Sequence, residues 1–369
     1  MAAAAEQLSS QSFDDDDAAN LRPHEIYWRD LYTFFLDQGY QFRPRFRPGW
    51  VPSWLGSTRY PMFFEDSNPL LFINTIDAVR LQDGSNVFIK RIDKDSTEAE
   101  INIYLSSPTL RSNPSNHAVP CPDYISGEGI HDFIVMPVLR RFNDPPFVFV
   151  DEVLDFIRQT LEGLVFLHRN GIAHRDCSDN NLMFDASSMY PEGFHPDMQY
   201  MTKDGLRLLG EGLKRADVSP PVRYYFIDFG ISSRFAGSSK RRLVTGSRCQ
   251  DRDVPELSDA IPYDPFYVDV FILGNVYKRS FTNAYSNLSF LKPLVYEMTK
   301  LSPNARSSAE QALRHFRRLV EKQRGPSLRW TLMESDMTFS ERFNRNLLSV
   351  NREVRRFAKN FLGGWMRFA

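Results

Sequence analysis

Cysteine is scarce in this sequence: Cys121, Cys177 and Cys249 are scattered through 369 residues. Three isolated thiols exclude a disulfide framework and a cysteine-rich zinc site; each reads as a small packing residue. They fit a reducing compartment, so an intracellular, cytoplasmic location is expected, with the basic run SSKRRL leaving a nuclear one open. An excess of either charge is also lacking, with 45 Lys plus Arg against 46 Asp plus Glu, so no whole-protein field argues for nucleic acid. No apolar run approaches the ~18 residues of a bilayer span. The start, MAAAAEQLSSQSFDDDD, lacks the cationic and apolar parts of a secretory signal.

What is present is 42% hydrophobic and 14% aromatic, enough to exclude collagenous, low-complexity and wholly disordered chains. The near-neutral charge hides a gradient. Residues 1–25 set Glu6, Asp14 to Asp17 and Glu25 against Arg22 alone, whereas from Arg314 onward there are thirteen basic and five acidic side chains. Residues 1–22 are too small and polar to offset their ordering entropy and are expected as a disordered acidic arm. Residues 23–70 should hold a helix opened by Pro23, then an extended stretch in which proline and aromatics alternate, RPRFRPGWVPSWLGSTRYP.

From residue 71 the pattern turns to β-branched and aromatic residues around Asp83-Gly84, a hairpin signal. A helix near Ser96 to Leu105 and the strand HDFIVMPVL follow. Between Val150 and His168 the apolar residues Val153, Phe156, Ile157, Leu161, Leu164 and Val165 repeat near 3.6, predicting a long amphipathic helix. Strands first and helices afterwards predict an α+β chain of two lobes: a small β-rich one over 71–139 and a larger, mainly helical one over 140–322.

The chemistry-bearing residues form an ordered series: VFIK ending at Lys90, a helix with Glu100, HRD at 174 to 176, Asn181, DFG at 228 to 230, VPE at 254 to 256, Asp269 and Arg306. Over roughly Ile76 to Val320 this series resembles the eukaryotic protein kinase superfamily, and more narrowly a divergent kinase-like family of mushroom-forming fungi. The resemblance implies a bilobal protein-kinase-like fold, ATP and Mg2+ as cofactors, and a protein substrate. It implies that Lys90 holds the α and β phosphates, oriented by Glu100 in preference to Glu98. Asn181 and Asp228 bind the metal, and Asp176 accepts or orients the substrate hydroxyl. Met136, Val138 and Leu139 line the adenine site. Glu256 with Arg306 form a buried pair, and Asp269 holds the catalytic-loop backbone.

This sequence departs from the family in four places. No glycine lies between Gly56 and Gly84, where a phosphate-covering loop is expected, which predicts weak nucleotide affinity or a substitute clamp. Ser178 stands where serine/threonine kinases carry lysine. GSRCQDRDVPE lacks the usual substrate-pocket pattern. An insertion of about 186–222 reads as a surface excursion with a docking role. The activation segment mixes Ser232, Ser233, Ser238, Ser239, Thr245 and Ser247 with Arg234, Lys240, Arg241, Arg242 and Arg248, so Arg175 could clamp a phosphate there.

Residues 323–369 form an extension in which Phe339, Phe343, Leu347, Val350, Val354, Phe357 and Phe361 recur at helical spacing among arginines. A basic amphipathic helix is expected, its stripe packed on the large lobe in preference to a membrane surface or a partner helix. The function expected is transfer of the ATP γ-phosphate to a protein hydroxyl, serine or threonine rather than tyrosine. The alternatives are a pseudokinase acting as an interaction scaffold and, less well supported, a small-molecule phosphotransferase.

Overall fold

The computed structural model describes residues 18–235, 243–323, 330–338, 340–347 and 349–350. The architecture is mixed α/β, and the chain divides into two compact units. The first takes its described residues from Met1–Lys94, Cys121–Val138 and Tyr190–Gly212; the second takes the rest.

A curled antiparallel sheet organises the first unit. Its strands are β1 (Tyr40–Phe42), β2 (Thr75–Arg80), β3 (Asn86–Asp93), β4 (Asp123–Ser126) and β5 (His131–Pro137), in the order β1-β2-β3-β5-β4. The Asp83-Gly84 turn joins β2 to β3 as the sequence predicts, with Gly84 at φ +70°, a region where a Cβ would be strained. Two helices precede the sheet, α1 (Pro23–Asp30) and α2 (Tyr32–Asp37). A single helix was expected; the chain breaks at Leu31, and Trp28 and Phe35, two helical turns apart, are both fully buried. Trp28, Phe35, Phe42 and Phe133 interlock, Phe35 meeting Phe133 edge-on at 4.9 Å. Truncating a ring in such a cluster costs about 3–5 kcal/mol.

Between β1 and β2, residues 43–74 form three short 3-10 turns rather than an extended stretch. Two arginines fix them, Arg45 fully buried and Arg43 largely so. Arg45 donates to the Glu25 carboxylate at 2.9 Å and to the carbonyls of Ala18, Asn20 and Asp66. Burial pushes the Glu25 carboxyl up, but Arg45 and the N–H groups of Arg22 and Leu70 hold it below its ordinary value. Thus residues 18–22, expected within the disordered arm, are tied down; 1–17 lie outside the described residues.

Arg43 is the second hub, 3.0 Å from both Glu65 and Asp77 and 3.5 Å from Asp197. Asp197 belongs to the expected surface insertion. The stretch Tyr190–Gly212 is instead part of the first unit, with His195 and Asp197 buried, His195 3.3 Å from Glu65, and Asp197 accepting the Leu71 N–H at 3.2 Å. A buried guanidinium needs paired carboxylates, and the insertion supplies one of them.

The second unit contains α3 (Thr97–Ser106), α4 (Pro108–Arg111), β6 (Arg140–Arg141), α5 (Val150–Arg169), β7 (Ile172–Ala173), β8 (Leu182–Asp185), β9 (Arg223–Phe226), β10 (Ser233–Arg234), β11 (Val244–Gly246), β12 (Ser258–Tyr263), α6 (Pro265–Tyr277), α7 (Lys292–Met298) and α8 (Ala309–Lys322). All six apolar residues named above on α5 are buried. Glu152 caps that helix by accepting the N–H groups of Val148 and Phe149. Strands β6, β8 and β9 form an antiparallel ribbon in which Leu182 faces Phe226. That register sets Asn181, just before β8, beside Ile227, just after β9; the Ile227 N–H donates to the Asn181 carbonyl at 3.0 Å.

The C-terminal extension crosses the start of α5, where the Val150 N–H donates to the Trp330 carbonyl. Its helical residues 340–347 and 349–350 do not bury the predicted stripe: Phe343, Leu347 and Val350 are exposed. The buried residue is Ser349, bonded to Thr331, and this turns the apolar side outward. Phe339, Val354, Phe357 and Phe361 lie outside the described residues. Among the described residues no helix is long and apolar enough to cross a membrane.

Candidate active site

The loop from His174 to Asn181, between β7 and β8, is held by one buried carboxylate. Asp269, fully buried on α6, accepts the N–H groups of His174 at 2.9 Å and Arg175 at 2.6 Å, and pairs with His168 Nε2 at 2.9 Å. A carboxylate inside an apolar helix is costly unless its lone pairs are used, so Asp269 and the loop backbone satisfy each other. Arg175 sits at φ +69°, a strained conformation that the clamp maintains. Its guanidinium is already engaged by the Ile231 and Thr245 carbonyls and the Tyr263 hydroxyl, where the sequence suggested a phosphate clamp. Ser238, Ser239, Lys240, Arg241 and Arg242 lie outside the described residues.

Asp176 receives three side-chain or backbone donors. Asn181 Nδ2 reaches its carbonyl and its Oδ2, both at 3.0 Å. Gln250 donates its backbone N–H to Oδ1 and its side-chain amide to Oδ2, both at 3.1 Å, and Asn180 Nδ2 donates to the Gln250 side-chain Oε1. Of the roughly four acceptor sites on a carboxylate, the one left over is on Oδ1. Asp228 turns at φ +62° and its Oδ1 accepts the Gly230 N–H at 3.3 Å. Phe229 is fully buried, its ring centroid 4.9 Å from that of His174.

Asp176 and Asp228 line one cavity of about 200 Å³ together with Gly230, Ile231, Arg248, Cys249 and Gln250. Burial, with Asp176 adding to it, pushes the Cys249 thiol up to about 11, and burial pushes Cys177 well above its ordinary value. Both are packing thiols rather than nucleophiles. Below the cavity, Asp251 anchors the same segment by accepting from Asn275 on α6 and from Arg279.

The two carboxylates of α3, of which Glu100 was the expected site residue, differ in burial. Glu100 is exposed and pairs with Arg234 at 2.7 Å, whereas Glu98 is buried. A Cβ placed on Gly230 would stand 3.3 Å from Glu98 Oε2 and 3.2 Å from Asp228 Oδ1, so glycine there permits both carboxylates to approach the backbone. Ser96 caps α3 by accepting the Ala99 N–H, and two residues apart on a helix point to roughly opposite faces, so the face that buries Glu98 exposes Glu100. Glu256 and Arg306 form a bidentate pair at 2.6 and 3.1 Å, with Arg306 also bonded to the carbonyls of Lys300 and Tyr267.

The second unit therefore brings together Asp176, Asn181 and Asp228. The other predicted residues fall elsewhere. Lys90 is half-buried on β3, opposite Thr75 and Ile134, and Met136 is half-buried on β5, opposite Phe88. Val138 closes a segment of the first unit, and buried Leu139 opens one of the second. Gln250 was missed. Nothing in the local pattern of RCQDRD marks a glutamine for Asp176, because the contact joins residues 74 apart in sequence.

Comparison with protein-family models and with curated proteins found no match for this chain.

Proposed function

We propose that this chain is an ATP- and magnesium-dependent protein kinase with a bilobal kinase-like arrangement, transferring the γ-phosphate to a serine or threonine hydroxyl. The observation that carries the reading is the convergence of Asp176 and Asp228 on one cavity, with Asn181 bonded to Asp176 and Asp269 beneath the loop. Phosphoryl transfer needs placed charge rather than covalent help, and a carboxylate oriented by three donors with one acceptor site open suits a substrate hydroxyl.

The donors available for a cation are oxygens. Asn181 gives its amide nitrogen to Asp176, and Asp228 lines the cavity with a carboxylate. Those two side chains would hold Mg2+, which commonly takes one or two protein ligands and completes its shell with phosphate and water oxygens. The bound ion would neutralise triphosphate charge. Glu98, not Glu100, takes the role that the resemblance gives to the helix carboxylate; Lys90 and the adenine-site residues Met136, Val138 and Leu139 rest on the resemblance alone. Asp176 then receives the hydroxyl proton, and Gln250 and Asn181 keep its oxygens aimed.

The test is transfer of labelled γ-phosphate from ATP to the chain itself or to a general protein acceptor, with Mg2+ or Mn2+. Asp176→Asn should abolish transfer while ATP still raises the melting temperature. A second reading, a scaffold that binds nucleotide without transferring phosphate, is favoured by Ser178 and by the occupancy of Asp176 by Gln250. Binding with no transfer to any acceptor would decide for it.

A further inference from the structure

We propose that Arg248 is the residue that contacts the transferred phosphoryl group, supplying from the segment before Pro255-Glu256 a positive charge that no side chain of the catalytic loop brings to the cavity. The inference rests on the kinase reading above and names a component that this reading leaves empty. A phosphoryl group in flight spreads negative charge over its peripheral oxygens, and beside two carboxylates it needs a fixed cation as well as metal.

The catalytic loop brings none to the cavity, since its Arg175 donates to the Ile231 and Thr245 carbonyls. Ser178, at the position that the resemblance assigns to lysine, is buried at 1% exposure and its hydroxyl has no hydrogen-bond partner among the described residues. Arg248, in contrast, lines the cavity that holds Asp176 and Asp228. It is exposed there, and among the described residues no hydrogen bond or ion pair engages its guanidinium.

Its placement is not that of an arginine on a free loop. Two residues on, Gln250 is fixed to Asp176 through both its backbone and its side chain. Three residues on, Asp251 is bonded to Asn275 and Arg279, and buried Cys249 donates its thiol to the Asp251 carbonyl at 3.0 Å. The backbone that carries Arg248 is thus fastened to the very carboxylate that receives the substrate proton. A guanidinium also suits phosphate better than an ammonium, because its planar fork can donate two parallel hydrogen bonds.

In the step itself, the bond from γ-phosphorus to the β-phosphate oxygen breaks while a bond to the acceptor oxygen forms. The hydroxyl proton passes to Asp176, and the electron pair of the broken bond leaves on ADP. Arg248 stabilises the oxygens in transit and changes no bond.

The full chain with Arg248→Ala and Arg248→Lys tests this by phosphate transfer and by calorimetric affinity for ATP and ADP with Mg2+. Losing a preorganised donor of this kind lowers kcat by about 10²-fold, so that fall is expected for Arg248→Ala, with KM for the protein acceptor little changed. Affinity for ATP should drop while that for ADP stays the same, and Arg248→Lys should recover part of both losses. An unaltered kcat and an unaltered ATP-to-ADP ratio in Arg248→Ala, with an active parent, would overturn the assignment and leave the kinase reading intact. If the parent binds ATP without transfer, the ATP-to-ADP ratio alone decides. A parent that binds no nucleotide overturns both.

Discussion

Single side chains in this molecule are assigned by what surrounds them, and neighbours in sequence part company. Glu98 and Glu100 lie two positions apart on α3, yet one is buried against Gly230 and the other is exposed and paired with Arg234. Glu98→Gln, which neutralises a buried carboxylate, should lower kcat/KM for transfer by at least about tenfold. Glu100→Gln should stay within about twofold, as exposed pairs are worth little. Steady-state kinetics on both variants check this, and the reverse ranking would restore the sequence-based choice. What the motifs made legible is a grouping: Asp176 with Asn181 and Asp228, and Asp269 against their loop. Which of the two glutamates is buried was not legible, because it depends on which face of the helix packs, and that is set by partners distant in sequence. Gln250 was illegible for the same reason: its partner comes from a distant loop.

At the scale of elements, the sequence announced those whose pattern is local. Helix α5 follows its 3.6 period and the β2-β3 hairpin follows Asp83-Gly84. The insertion and residues 43–74 were misread because a charged side chain looks the same whether solvated or buried in a polar hub, and only the partners distinguish them. One consequence is measurable. Burial, with the like charge of Asp77 adding to it against Arg43, pushes the Asp197 carboxyl up to about 6. Its contribution to stability is full below the ordinary 3.8 and is lost as pH rises through about 6. In the second unit burial depresses His117 from 6.5 to about 4, so that contribution is present above 6.5 and is lost as pH falls toward 4. Hydrogen exchange, corrected for intrinsic rates, should therefore show residues 190–212 better protected at pH 5 than at pH 7, with the opposite trend around His117 and β9. Asp197→Asn should flatten the first trend and leave the second. An unchanged slope in that variant would mean that another group titrates there.

Over the whole molecule, the acidic and basic ends noted in the sequence contribute little that is described, while the order in which segments alternate between the units matters more. The chain leaves one unit for the other after Lys94, Pro120, Val138, Met189 and Gly212. Composition carries no trace of this alternation, since a residue's unit is set by long-range pairing such as that of Arg43 with Asp197. A mixture of helices and strands was visible in the sequence; the membership of Tyr190–Gly212 was not.

That interleaving constrains the birth of the protein on the ribosome. Synthesis runs from the N-terminus, so Arg43 and the sheet are made well before the stretch that brings Asp197 and His195, and the early-born unit must wait for late-born chain. Nascent polypeptides arrested with residue 185 outside the exit tunnel should be cut by protease within 43–74, and those arrested with residue 215 outside should resist; equal resistance at both lengths would show that the insertion is dispensable for closing the unit.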